Sequence, residues 1–260
     1  MNLVLALVSQ RAKAKLAYRG DLATGLFSAM LLAVVGPVFI TTLFRHVPAL
    51  GGWTGPEVLF TWGFADTVSG LFYVFFQGLY VLNRRYILGG ELDRLLIRPV
   101  DPFLQLLVDN LAIEEVPSVV LGGFVMWLAF QWGLPPVPLA RLALLPLWCL
   151  GGLGALGGLV TSIASLGFHL HHRGTAVGLV MQVTTFVRYP LDLFGSPFKW
   201  ALTVVLPFGF AGFYGAVLFL PRPEWAAFGW VTPLVGLAAM AVGYSAWRVG
   251  LRSYTSGGQG

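Results

Sequence analysis

From Leu22 to Phe44 the chain carries no charged side chain, and the pattern recurs along its length. Residues 57–82 hold a single internal charge, Asp66. Residues 116–140 and 142–168 hold none, and only Arg141 parts them, after the Pro-rich link Leu134–Ala140. Residues 174–187 form a shorter charge-free run. Residues 200–220 are apolar but broken by Pro207, Gly209, Gly212 and Gly215, and 226–247 make the last clear run. An apolar run of about 20 residues is the length of helix that crosses a bilayer core of about 30 Å. A helix also closes its backbone hydrogen bonds within one segment, as hydrocarbon requires. Composition agrees, with 57% apolar and 10% charged residues, against about 25% charged in a soluble domain. A soluble globular protein, a disordered chain and a disulfide-stapled secreted domain are excluded. The expected class is an all-α polytopic membrane protein. Cys149 is the one cysteine, so no intrachain disulfide and no cysteine-based metal cluster forms.

The ends and the charges set the orientation. The apolar run Leu3–Val8 precedes Arg11, Lys13, Lys15 and Arg19, the reverse of a secretory signal. Residues 1–20 therefore read as an interfacial helix on the cytoplasmic surface. With the N terminus inside, six transmembrane helices and a re-entrant outer hairpin over 188–225 place eleven of the sixteen Lys and Arg residues on the cytoplasmic side. If 200–220 crosses fully, seven spans place ten there. Positive residues collect inside, so both versions favour a cytoplasmic N terminus. The Pro and Gly breaks favour the hairpin and hence six spans, with both termini cytoplasmic. The whole chain, 1–260, is then one transmembrane domain. The basic residues form no stripe that tracks phosphates, so nucleic acid is not expected as a partner.

One polar stretch is long enough for a cytoplasmic structure, residues 83–115. Gly89-Gly90 permits a sharp turn. Glu91 and Asp93 suit the positive end of a short helix. Pro99 ends it. Asp101 then caps a second helix with Pro102 in its first turn, and that helix is expected to run into the third span through Glu114 and Glu115. Two readings fit. One is a solvated loop with charged helices. The other is a docking surface, with Leu92, Leu95 and Leu96 as anchors for a groove and charges at the rim.

The run Gly90-Glu91-Leu92-Asp93-Arg94-Leu95-Leu96-Ile97-Arg98-Pro99-Val100 resembles the loop after the second span in type-2 ABC transporter permeases, and is most similar to their short-chain branch linked with export of viologen-like cations. Arg188-Tyr189-Pro190-Leu191-Asp192-Leu193-Phe194, with Ala201–Phe210 and its Pro207, is similar to that family's pattern before the outer hairpin. The resemblance covers nearly the whole chain in order. It implies a plasma (inner) membrane permease that works as an exporter of hydrophobic small molecules, cations among them. It also implies partners: a cytoplasmic ABC ATPase dimer that carries ATP and Mg, and a second permease chain, same or similar. Glu91, Leu92, Asp93, Arg94, Leu95, Leu96, Arg98 and Pro99 are then the ATPase-coupling residues. The short turn His171, His172, Arg173 is a secondary contact.

Enzyme readings find less support. A phosphate loop needs a Gly-rich turn followed by Gly-Lys, and no Gly-Lys pair occurs. Any ATPase is therefore a separate polypeptide, and this chain holds no cofactor of its own. Glu114-Glu115 suggests an intramembrane protease site, yet no Arg stands three residues on; a charge pair at the mouth of the third span is the simpler reading. His169, His171 and His172 make the one metal-like cluster, without a nearby carboxylate or thiol, so a solvated basic turn is expected rather than a metal site. A self-contained carrier should show repeated halves, and none is visible. No catalytic residue is assigned.

Asp66 is the ionisable group inside a span, and such groups mark function by default. Trp62, Asp66, Ser69, Tyr73, Phe76 and Tyr80 follow helical spacing and share one face, with Gln77 beside them. This face either lines a pathway in which the carboxylate and the aromatic rings favour cations, or Asp66 caps a kink and the rings merely pack. Three smaller expectations complete the reading. Gly154-x-x-x-Gly158 permits close helix approach, within one bundle or across a dimer. Arg188 and Asp192, four apart, are placed to pair. Trp200 and Trp225 bracket the hairpin at interfacial depth.

Overall fold

The computed structural model describes residues 19–170 and 176–255. Residues 1–18, most of the interfacial helix expected over 1–20, lie outside the described residues, as do His171, His172 and Arg173. The fold is all-α apart from a two-residue β-ribbon, β1 (Ala49–Leu50) against antiparallel β2 (Trp53–Thr54). Its main helices are α1 (Arg19–His46), α2 (Gly55–Phe76), α3 (Leu92–Leu96), α4 (Pro102–Asp109), α5 (Val116–Gln131), α6 (Leu145–Ser165), α7 (Ala176–Val183) and α8 (Ala226–Arg252).

Among the described residues five helical segments are long and apolar enough to cross a membrane: Ala23–His46, Gly55–Phe76, Ile113–Gln131, Leu139–His169 and Pro223–Arg252. The expected span over 174–187 is not among them. There α7 gives way to a 3-10 stretch, Thr184–Arg188, and Tyr189-Pro190 ends it. Eight α and five 3-10 residues reach about 22 Å, short of a bilayer core. The third span also ends earlier than expected. Gly133 takes φ +112, and the Pro-rich link 134–138 has no regular structure.

α2 is apolar on every side, which marks a helix surrounded by others. It is buried along nearly its whole length. α1, α5 and α8 instead each leave an apolar face exposed, including Phe27, Leu31 and Val35 on α1 and Leu234 and Leu237 on α8. Such faces suit hydrocarbon. Two glycine seams bring backbones together. On the α2–α5 seam, a Cβ on Gly63 would sit 2.8 Å from the Gly122 carbonyl oxygen. On the α6–α8 seam, a Cβ on Gly158 would overlap the Ala239 carbonyl, and one on Gly154 would lie 2.7 Å from the Gly236 oxygen. The Gly154–Gly158 pair is thus used within one bundle.

Residues 188–225 form a chain of short helical turns: Leu191–Leu193, Ser196–Trp200, Ala201–Val205, Pro207–Ala211, Phe213–Val217 and Pro223–Trp225. Every residue from Phe208 to Leu220 is buried, packed against α2, α6 and α8. Broken backbone of this kind is tolerated in a membrane where protein covers it. The Thr203 hydroxyl and the Tyr214 phenol lie 2.8 Å apart and close the turn internally. Trp225 packs inward on Phe213, Tyr214 and Phe228, whereas Trp200 is 54% exposed.

Candidate functional site

Among the described residues three places carry unusual polar chemistry: the 83–115 segment, a cleft beside Asp66, and a clamp at the opposite end.

The 83–115 segment is folded and braced. A π-helical stretch, Leu82–Ile87, continues the second span, and Gly90 turns the chain at φ +71, a conformation that favours glycine. Arg85 donates to Glu91 at 2.8 Å across this turn. α3 follows and ends before Pro99. Asp101 caps α4 by accepting from the Leu104 amide at 3.0 Å, with Pro102 in the first turn. Gln105, 1% exposed, donates to the Leu95 and Val100 carbonyls at 3.0 and 2.6 Å and fastens α3 onto α4. Burial raises the Tyr86 phenol above its ordinary pKa, and the Asn110 amide donates to its oxygen at 2.8 Å. α4 reaches the membrane helices directly. Phe103 packs on Trp247 at 5.2 Å and on Tyr244 at 5.8 Å, and the Tyr244 hydroxyl donates to Asp101 at 2.9 Å.

Two expectations need correction. α4 does not run into the third span: it stops at Asn110, a 3-10 turn Ile113–Glu115 follows, and α5 starts afresh. The Ala112 amide donates to the Val74 carbonyl at 3.1 Å, which pins that break to α2. Leu92 and Leu95 are not free anchors. They are 0% and 3% exposed and belong to this chain's own core. The outward apolar residues are Leu96 and Ile97, at 44% and 83% exposure, with Arg94, Arg98 and Pro99 exposed around them. Ile97 was missed because it lies outside the leucine spacing of a short helix. Its place beside Pro99, where the helix must stop, was the available signal.

The cleft, 420 Å³, lies between α1, α2 and the start of α5. α1 lines it with the small residues Gly25, Ser28, Ala29 and Ala33, which leave the space open. Asp66, Ser69 and Tyr73 line it from α2, and Glu114, Glu115 and Ser118 from the opposite wall. Arg188 closes one side. Its Nη2 lies 3.2 Å from Asp66 Oδ1, and its guanidinium stands 5.5 Å from the Trp62 ring centroid. Asp66 is 4% exposed.

The expected face therefore divides. Asp66 and Tyr73 reach the cleft. Trp62 packs against Gly36 and faces Arg188, and Tyr80 stacks on Tyr73 at 6.2 Å. Gln77 caps the C-terminal end of α2. Phe76 turns away: it stacks on Phe72 at 5.6 Å and fills the space that Gly157 of α6 leaves. It sits about 40° around the helix from Trp62, at the edge of the stripe. Arg188 and Asp192 do not pair. Tyr189 is extended before Pro190 (φ −116, ψ 156), so no helix connects them, and Asp192 pairs with Lys199 at 3.1 Å instead. Sequence reasoning saw Glu114 and Glu115 only as a charge pair at a helix mouth. Their place opposite Asp66 follows from packing.

At the other end Arg222 grips Glu57. Nε and Nη2 donate to the two carboxylate oxygens, each at 2.7 Å, and Nη2 donates also to the Gly52 carbonyl at 2.6 Å. Thr54 donates to Glu57 Oε2 from amide and hydroxyl, both at 2.9 Å, and the Arg222 guanidinium lies 4.3 Å from the Trp53 ring centroid. This clamp ties the β-ribbon and the start of α2 to the loop before α8.

A family model described as ABC-2 family transporter protein matches residues 30–258. No curated protein and no solved structure matches the chain.

Proposed function

Because the chain belongs to the ABC-2 family of transporter proteins, we propose that it is the membrane permease of an ATP-driven exporter whose ATPase is a separate cytoplasmic subunit. In this reading residues 91–99 dock into that ATPase. Two permease chains, same or similar, meet in the plasma membrane and bind an ATPase dimer that holds ATP and Mg. The 83–115 end and both termini face the cytoplasm, the chain crosses six times, and 188–225 re-enters from the outside. His171, His172 and Arg173 make a second contact with the ATPase. The cargo is a hydrophobic small molecule, cationic in its polar part, that enters beside Asp66.

One observation carries the docking reading. The segment exposes an apolar tip, Leu96 and Ile97; Gln105 fastens α3 onto α4, and α4 is fixed to α8 through the Asp101–Tyr244 hydrogen bond and the Phe103–Trp247 contact and to α2 through the Phe103–Phe76 contact. A tip that is exposed and also rigidly joined to two spans suits the transmission of force. ATP-driven approach of the ATPase subunits would push α4, and α4 would move α2 and α8 as bodies.

The test is co-purification with the ABC ATPase that binds the unaltered chain. Ile97→Glu and Arg94→Glu are expected to abolish the complex while leaving the chain folded. Leu95→Glu buries a carboxylate in the chain's own core and should lower its yield instead. A complex that survives both surface changes would show that the ATPase binds elsewhere.

A further inference from the structure

Asp66 and Arg188 form an ion pair that the packing leaves half-made. A guanidinium and a carboxylate can join through two parallel hydrogen bonds, as Arg222 and Glu57 do. Arg188 reaches Asp66 through the single 3.2 Å contact. Among the described residues Asp66 Oδ2 and Arg188 Nε are buried without a hydrogen-bond partner. The two residues also come from unlike places. Asp66 stands at the middle of α2, a helix buried along nearly its whole length. Arg188 ends the 3-10 stretch after α7, and extended Tyr189 follows it. Beside them lies the 420 Å³ cleft, whose lining includes three carboxylates, Asp66, Glu114 and Glu115, and one guanidinium.

We propose that the Asp66 carboxylate is a cation subsite which Arg188 fills when no cargo is bound, and that the charged end of an amphiphilic organic cation displaces Arg188 from it. The proposal rests on the reading of this chain as a permease for hydrophobic cations. Exchange is the economical route. One cation replaces another, so the buried carboxylate never loses its counter-charge, which would be costly. The departing guanidinium already faces the Trp62 ring, which offers it a cation–π partner. Tyr73 and the small residues of α1 leave room for a flat apolar body next to the charge. A neutral or anionic molecule of the same shape cannot replace Arg188 at Asp66, so the pair also acts as a filter.

The experiment is ethidium binding to the purified full-length chain in nanodiscs, read by fluorescence. Arg188→Gln removes the competitor and is expected to tighten binding on the order of tenfold, a modest part of one charge–charge interaction at short range in protein. Asp66→Asn is expected to weaken it by at least about tenfold. Anilinonaphthalene sulfonate, an anion of similar size, should gain nothing from Arg188→Gln. Ethidium bound no more tightly by Arg188→Gln, or as tightly by Asp66→Asn as by the parent, overturns the proposal. A second measurement uses the unaltered chain, in case Arg188→Gln does not fold. Ethidium should increase phenylglyoxal modification of Arg188, detected by mass spectrometry; unchanged or reduced modification overturns the exchange. The ATPase takes no part in these assays. Lost co-purification with an intact ethidium response would count against docking alone, and the reverse against the subsite alone.

Discussion

The Arg222 guanidinium meets Glu57 with both arms of its fork, adds the Gly52 carbonyl and covers the Trp53 ring. Breaking one side of so enclosed a pair leaves a buried charge without its counter-ion. Arg222→Gln should therefore destabilise the chain by about 3 kcal/mol, seen as a lower thermal midpoint in detergent. Arg222→Met combined with Glu57→Met should recover most of that loss, since the apolar pair leaves no charge behind. Neither residue stood out in the sequence. Glu57 sits at the first turn of a span and Arg222 between two apolar runs, so each passed as an ordinary flank. Asp66 did stand out, because a carboxylate inside a span is rare. Its partner did not. Arg188 reads as the natural mate of Asp192, and only the extended backbone at Tyr189-Pro190 turns it toward α2. Pair identity here depends on the path of the chain between elements, which spacing does not encode.

At the level of elements, local chemistry was the better guide. The Asp101 cap, Pro102 in the first turn of α4, the turn at Gly89-Gly90 and the stop before Pro99 were all legible, because each depends on a few adjacent residues. The inward direction of Leu92 and Leu95 was not. α3 is too short to show a face, and leucines that fill the chain's own core look the same as leucines that wait for a partner. The glycine seams make a comparable distinction testable. Gly158 of α6 lies against the Ala239 carbonyl of α8, whereas a Cβ on Gly123 of α5 would meet nothing within 4 Å. Gly158→Ala should cost about 1–3 kcal/mol through forced separation of the two helices. Gly123→Ala should be neutral or slightly stabilising, as alanine favours helix. Thermal unfolding of both variants in the same detergent checks the contrast. Equal behaviour would mean that the seam is not a tight contact.

At the level of the whole molecule, the charge-poor runs announced a membrane protein, and all five long apolar helices begin within a few residues of such a run. The run 174–187, which did not become a long helix, leads into the Tyr189-Pro190 corner and the buried turns 208–220. Length was a sound guide for these five helices, the buried α2 included, and a poor one where a proline corner cuts the run short. The charges that remained after the spans were removed concentrate between Arg84 and Glu115, and the structure makes of them a braced platform with an exposed tip. The central claim is that this tip is where a separate ATPase takes hold. A photo-crosslinking residue placed at Ile97, and another at the exposed α5 residue Val120, tests it in membranes that contain the ATPase. The account predicts a covalent adduct with the ATPase from position 97 and none from position 120. No adduct from 97, or equal adducts from both, would contradict it.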